Sequence, residues 1–205
     1  DRLGKKLLIT GKGRCNVTND CSGSEVLQNT PRNGKFLFSA MNAFPPEKTK
    51  AFFEEMDFDA VTIAPYMGAD SVTPFLEYKD KWAIVLALTS NASAYQFQTA
   101  VKDGRPLYQA VMEEMMEIST PDNMMFVVGA TKADKLEELR GFCPDNFFLV
   151  PGVGAQGGSA EEVIAHGSND HGGLLINSSR GILFADGTED YAKVAGEVAA
   201  KTANL

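Results

Sequence analysis

A parallel α/β fold is what the sequence predicts, and two observations carry the prediction. From about residue 58 onward, short apolar runs rich in β-formers alternate with longer helical stretches, the order in which parallel sheets are built. Late in the chain, Pro151-Gly152-Val153-Gly154-Ala155-Gln156-Gly157-Gly158-Ser159 lies between an apolar run and a helical one, the setting of a strand-to-helix turn that presents backbone N–H groups. The expected strands are 60–64, 83–89, 124–128, 147–150 and 173–177. Each is mostly apolar, as a strand buried on both faces should be. Helices are expected over 70–78, 107–118, 132–140, 159–166 and 188–201, with Asp70, Ser159 and Thr188 as N-cap residues.

Five strand-helix units result. A closed (β/α)8 barrel of the TIM type takes eight units and about 250 residues, so a barrel would lack three units or receive them from elsewhere. An open doubly wound sheet has no such shortfall. The first fifty residues do not share the period: they hold a basic loop, Gly11-Lys12-Gly13-Arg14, a polar stretch and Pro45-Pro46 ahead of a helix over 47–56. A composition boundary falls between Phe44 and Asp57, giving an expected division into 1–50 and 51–205.

Composition narrows the function classes. With 44% hydrophobic and 22% charged residues among 205, the chain reads as globular and able to build a core. A net charge of −8 argues against nucleic acid as a partner, since such binders carry a basic stripe. Cys15, Cys21 and Cys143 form no C-x-x-C pair, so neither a zinc site nor a disulfide framework is encoded, and no metal is expected. They read as free thiols in a reducing cytoplasm. No apolar run has the roughly 18 residues of a membrane helix. The opening residue is Asp1, as in a processed or partial gene product. His166 and His171 read as surface residues.

The stretch 151–159 contains G-x-G-x-x-G, and its glycines with the helix N-terminus suit an anionic phosphate. A dinucleotide would call for an acidic residue about 20 positions on, at the end of the next strand. That strand ends instead in Asn177-Ser178-Ser179-Arg180. In barrels, phosphate sites are commonly built from the loops after the last two strands, which are these two loops, and Arg180 would supply a guanidinium fork. A surface salt bridge is the alternative for Arg180, and a plain tight turn for the glycines.

Five blocks carry a resemblance: Asp59-Ala-Val-Thr-Ile-Ala-Pro-Tyr-Met-Gly68, Leu88-Thr-Ser-Asn91, Asn123-Met-Met-Phe-Val-Val-Gly-Ala-Thr131, residues 151–158 and Asn177-Ser-Ser-Arg-Gly181. In order and spacing they are similar to the long-type bacterial orotidine 5′-phosphate decarboxylases, over about three quarters of the chain. The resemblance implies an eight-stranded barrel acting as a homodimer, which converts orotidine monophosphate to uridine monophosphate and carbon dioxide without a cofactor. It further implies that Ser90 bonds the pyrimidine edge and Pro151 lines the base pocket. Gln156 would bridge base and phosphate, and Arg180 with the amides of Gly157 and Ser179 would hold the phosphate.

The family's chemistry uses D-x-K-x-x-D after the third strand, where a lysine protonates the developing carbanion and flanking aspartates act on the departing carboxylate. No lysine here has Asp two before and three after it. Asp80-Lys81 and Asp134-Lys135 have the wrong spacing, so no catalytic residue is assigned and an inactive family member is expected. In place of that segment, residues 4–19 and 34–44 are similar to BaiN-type flavin-dependent oxidoreductases, which leaves a flavin- or NAD(P)-dependent oxidoreductase fragment as the alternative. The dinucleotide fingerprint that precedes the glycine-arginine loop in that family has no counterpart before Gly11. The expectation is a chimera joined near residues 49–55.

Overall fold

The structure is a computed structural model and describes residues 21–154 and 157–204. The loop at residues 11–14, Cys15 and the rest of residues 4–19, and Gln156 therefore lie outside the described residues. The chain divides into two compact units, Asp1–Asp59 and Ala60–Leu205.

In the first unit, α1 (Gly23–Asn29), α2 (Phe38–Ala43) and α3 (Pro46–Met56) are short. A capping box starts α1: Ser22 Oγ accepts from the Glu25 amide at 3.3 Å, and Glu25 Oε2 accepts from the Ser22 amide at 2.8 Å. The bonds that the Ser22 amide and hydroxyl donate to Glu25 Oε2, at 2.8 and 2.7 Å, hold the Glu25 carboxyl below its usual pKa. Neither α1 nor α2 buries a residue.

The second unit is built on five parallel strands: β1 (Ala60–Ile63), β2 (Trp82–Leu88), β5 (Met124–Val128), β6 (Phe147–Pro151) and β7 (Leu174–Asn177), hydrogen-bonded in that order. Between β2 and β5 the chain makes a separate hairpin of β3 (Val101–Lys102) and β4 (Arg105–Pro106). Its turn residues, Asp103 and Gly104, both have positive φ, as a two-residue hairpin turn requires. Every strand of the sheet adds to the same side of its predecessor. No reversal of strand order occurs, so the sheet lacks the switch point of a doubly wound fold and has the progression of a (β/α) barrel.

Helices follow as α4 (Thr73–Leu76), α5 (Leu107–Glu117), α6 (Ala133–Phe142), α7 (Ala160–Gly167), α8 (Ser179–Leu183) and α9 (Tyr191–Ala203). Ser159 caps α7 as expected, its Oγ accepting from the Glu162 amide at 3.2 Å. Two other expected caps fail. Asp70 sits inside a short 3-10 turn, Ala69–Ser71, which Gly68 precedes, and the following helix is only four residues long. Thr188 donates from both its amide and its hydroxyl to the Asp186 carboxylate, so the chain turns once more and α9 begins at Tyr191. The short α8 is a further difference: the segment after β7 enters a helix at once.

One face of the sheet carries the core. Val85 and Ala87 of β2, Phe126 and Val128 of β5, and Phe148 and Val150 of β6 are buried, and they pack with Tyr108, Met112 and Met115 of α5, Leu136 and Leu139 of α6 and Val163 of α7. The alternate residues point the other way. On that inner face Ile84 and Val127 at the centre are buried. Met125, Phe147 and Leu149 are only half-buried, Thr62 is exposed and Leu175 is 49% exposed. The expectation of strands buried on both faces thus holds at the middle of the sheet and fails toward its flanks, because five strands cannot curl far enough to cover their own concave side.

At the N-terminal end of the strands, Arg140 closes the base. Its Nε donates to Gly167 O at 2.8 Å, Nη2 to Gly173 O at 2.9 Å, and Nη1 to Asn146 O at 2.7 Å, Pro144 O at 3.0 Å and Cys143 O at 3.2 Å. The guanidinium also lies 4.0 Å from the centroid of the Phe148 ring. One side chain thereby ties α6, α7 and the starts of β6 and β7. Neighbouring Cys143 is a free, buried thiol whose pKa is pushed up to about 12 by burial. Cys21 is also free.

Candidate functional site at the strand C-terminal rim

The loops after β2, β5, β6 and β7 come off the same end of the sheet, where parallel α/β proteins place ligands. They are stitched to one another. The register of β2 on β5 shifts between Leu86 and Leu88, an irregularity that re-aims the residues following the strand. Ser90, two residues past β2, then reaches across β5, and its Oγ donates to Pro151 O at the end of β6, 3.1 Å away.

The residue beneath that bridge is Gly129, whose amide donates to Leu88 O at 2.7 Å. A Cβ on Gly129 would stand 2.1 Å from Ser90 Oγ and 2.5 Å from Ser90 N. Only glycine leaves room for the bridge. A second close approach lies at Gly158, where a Cβ would meet the Ala130 Cβ at 2.4 Å. Hence the returning arm of the glycine loop rests on the loop after β5. Ser178 completes the series: its Oγ donates to Val153 O at 3.0 Å, fastening the segment after β7 to the glycine loop.

Within that loop, Gly152, Gly154 and Gly157 have φ of 99°, 76° and 89°, conformations L side chains rarely adopt. The turn closes through Gly157 N to Gly154 O at 2.8 Å and Gly154 N to Gly158 O at 2.9 Å. Ser179 N donates to Asn177 Oδ1 at 3.2 Å. The two amides expected to face a phosphate are therefore engaged inside their own loops. Arg180 is different. It is exposed in the first turn of α8, and its guanidinium makes no hydrogen bond or ion pair with any described residue.

Of the residues the sequence singled out, Ser90 and Pro151 are in direct contact. Gly157 shares the glycine loop with Val153, to which Ser178 links the segment bearing Ser179 and Arg180. Sequence reasoning did not find Gln98, whose Oε1 accepts from Thr89 N at 2.8 Å and whose Nε2 donates to Thr89 Oγ1 at 2.8 Å. These bonds fix the loop that carries Ser90. Beside it, Ala64, Pro65, Tyr66, Leu86, Phe97 and Leu107 border an apolar cleft of about 320 Å³. His166 pairs with Glu137 at 3.2 Å on the surface. Among the described residues, no group of three or more His, Cys, Asp or Glu is placed to hold a metal ion, and no helix is long and apolar enough to cross a membrane.

This geometry has known counterparts. Over 153 residues the chain is 53% identical to an orotidine 5′-phosphate decarboxylase of Phocaeicola vulgatus, a stretch covering 74% of this chain and 56% of that protein. It is 54% identical over 147 residues to the enzyme of the same name from Christiangramia forsetii, covering 72% of this chain and 54% of that one. Among solved structures, Leishmania donovani UMP synthase superposes with a TM-score of 0.65 at 38% identity, over 74% of this chain and 34% of that one. Leishmania donovani OMP decarboxylase does so with 0.63 at 35% identity, over 74% and 59%. The chain spans about half the length of the curated relatives it matches. The model of the orotidine 5′-phosphate decarboxylase / HUMPS family matches residues 47–194, and the chain belongs to that family.

Proposed function

We propose that this chain binds a pyrimidine nucleoside 5′-monophosphate, orotidine or uridine monophosphate, at the stitched rim, and that alone it does not decarboxylate it. The observation that carries the proposal is Arg180: an exposed guanidinium with no described partner, on a segment fastened to a positive-φ glycine loop. Such a fork matches a phosphate dianion in shape and charge. The Gly157 and Ser179 amides join it once the ligand draws them from their internal bonds, and Gln156 bridges base and phosphate.

Ser90 sets the other end. Its hydroxyl hydrogen is committed to Pro151 O, so toward a ligand the Oγ presents lone pairs only. The N3–H of a uracil or orotate ring is a donor and fits, whereas N3 of cytosine is an acceptor and does not. Pro151, half-buried at the end of β6, forms a wall of the base pocket. In the family's reaction, phosphate and base contacts remote from the reacting carbon serve to hold and strain the substrate.

The lysine that would protonate C6 has no counterpart in this sequence, and the contacts that remain supply binding without the proton donor. Residues 1–46 fall outside the family match. That supports a different origin for the N-terminal stretch, namely the BaiN-type fragment of a chimera; many independent long reads across an uninterrupted native gene of this order would refute an assembly error. A homodimer in the cytoplasm completes the proposal. The test is uridine monophosphate formation from orotidine monophosphate by the purified 205-residue chain. No turnover above the uncatalysed rate is expected, together with saturable uridine monophosphate binding; robust turnover would contradict the missing-lysine account.

A further inference from the structure

Ser90 carries the base contact of the proposed site, and its immediate surroundings confine it weakly. β2 ends at Leu88, and Gly129 beneath Ser90 makes room for it without a side chain to hold it. Thr131 Oγ1 reaches the Ser90 carbonyl at 3.5 Å, the outer limit of a hydrogen bond. Firmer attachment comes from Gln98, 9 positions beyond Thr89. Past the end of the strand, the Thr89 amide donates to Gln98 Oε1 at 2.8 Å, where a neighbouring strand would otherwise accept it, and Gln98 Nε2 donates to Thr89 Oγ1 at 2.8 Å. The Thr89 hydroxyl passes its own hydrogen to Asn91 Oδ1 at 2.5 Å. Both neighbours of Ser90 therefore belong to one set of bonds that begins at a single side-chain amide.

Gln98 is itself anchored to the core. Its backbone amide donates to Ala94 O and its carbonyl accepts from the Tyr108 amide, both at 2.9 Å. Tyr108 lies in the first turn of α5 and is 3% exposed. Leu107 N donates to Ala100 O at 2.7 Å, which closes the base of the β3–β4 hairpin. The position of the buried helix is thus passed through the Gln98 side chain to the loop bearing Ser90. Two bonds from one flat amide fix an orientation as well as a distance.

We propose that Gln98 is a positioning residue that sets the base preference of the site, by holding Ser90 where its hydroxyl hydrogen goes to Pro151 O. This rests on the nucleotide reading above and adds to it the group that decides uracil against cytosine. The bridge from Ser90 Oγ to Pro151 O is 3.1 Å, so a retreat of Ser90 by about half an ångström takes it out of range. While the bridge stands, turning the hydroxyl toward the acceptor N3 of cytosine strands the Pro151 carbonyl, a cost equal to roughly a tenfold preference for uracil. Once the bridge fails, the hydroxyl is free to donate or to accept and suits either ring. Gln98 acts through Thr89 and Asn91 and need not touch the ligand.

The experiment titrates the full 205-residue chain with uridine monophosphate and with cytidine monophosphate and reads the ratio of the two affinities. The unaltered chain should favour uridine monophosphate about tenfold. Gln98→Leu should bring that ratio to roughly threefold or less, mainly by tighter binding of cytidine monophosphate. Gln98→Glu, which can still accept from the Thr89 amide, should keep more of the preference. Thr89→Val removes the relay to Asn91 but leaves the amide bond, so its ratio should fall between the two, and it carries the test if Gln98→Leu does not fold. Thr99→Val, in the same turn but with its hydroxyl bonded to Tyr95 O at 3.0 Å, should leave the ratio unchanged. Uridine monophosphate binding with a ratio that neither Gln98→Leu nor Thr89→Val moves overturns the positioning role and leaves the nucleotide site standing. Equal loss of both affinities does the same, because Gln98 would then be a packing residue, as does a ratio that Thr99→Val shifts equally. No binding of either nucleotide by the unaltered chain overturns the nucleotide reading itself, and the base preference with it.

Discussion

Two arginines stand at opposite ends of one sheet. Arg140 at the base spends its guanidinium on five backbone carbonyls and lies over an aromatic ring. Arg180 at the rim spends its own on no described residue. Both sit in helices of the same α/β unit, and as letters in the sequence they are equivalent. The difference in partners separates an arginine that builds the fold from one whose donors face no described residue, as the proposed phosphate contact requires, since a cation surrounded by acceptors has little left to offer an anion.

The largest effect that would sharpen this contrast is Arg140→Ala. It strands several carbonyls at once and removes a ring contact, so a loss on the order of 3 kcal/mol or more is expected. Urea or thermal melts of the whole chain check it, and a change within half a kcal/mol would break the comparison. Arg180→Ala should behave in the opposite way. Stability stays within about 0.5 kcal/mol, as for an exposed side chain, while uridine monophosphate affinity falls roughly 10- to 100-fold, the scale of a charge-assisted hydrogen-bond pair. Arg180→Lys should recover only part of that loss, since an ammonium cannot form the fork.

The smallest effect belongs to the base. Cys143 has its pKa raised by burial from 9.0 to about 12. The unfolded chain therefore gives up that proton first, and the stability this thiol contributes is intact below pH 9 and declines as pH rises toward 12. At pH 8 the native chain should alkylate at Cys21, which is not buried, well before Cys143. Equal rates would mean that the base opens far more easily than Arg140's bonds allow.

Much of this was legible beforehand because it is local. The strand periods, the glycine loop and the Ser159 cap each depend on residues within a few positions. Asp70 and Thr188 misled for a physical reason: their side-chain type fits a cap, but Gly68 and Asp186 offered the backbone another turn first. The Asp103-Gly104 hairpin was a readable signal that went unread. Gln98 and Gly129 could not be read at all. Their importance lies in contacts with Thr89 and Ser90, 9 and 39 positions away, and a glycine that excludes a Cβ for a neighbour's sake looks in sequence like any other. The spread of exposure across the inner face was likewise hidden, because it depends on how many strands are present rather than on what each one contains.

The proposed phosphate end of the site rests on Arg180. Isothermal titration of the 205-residue chain with uridine monophosphate and with uridine tests it most directly. Saturable binding of the monophosphate, with uridine at least 10-fold weaker and that preference erased by Arg180→Ala, is the predicted result. Equal binding of the two ligands, or a phosphate preference that survives Arg180→Ala, would contradict it.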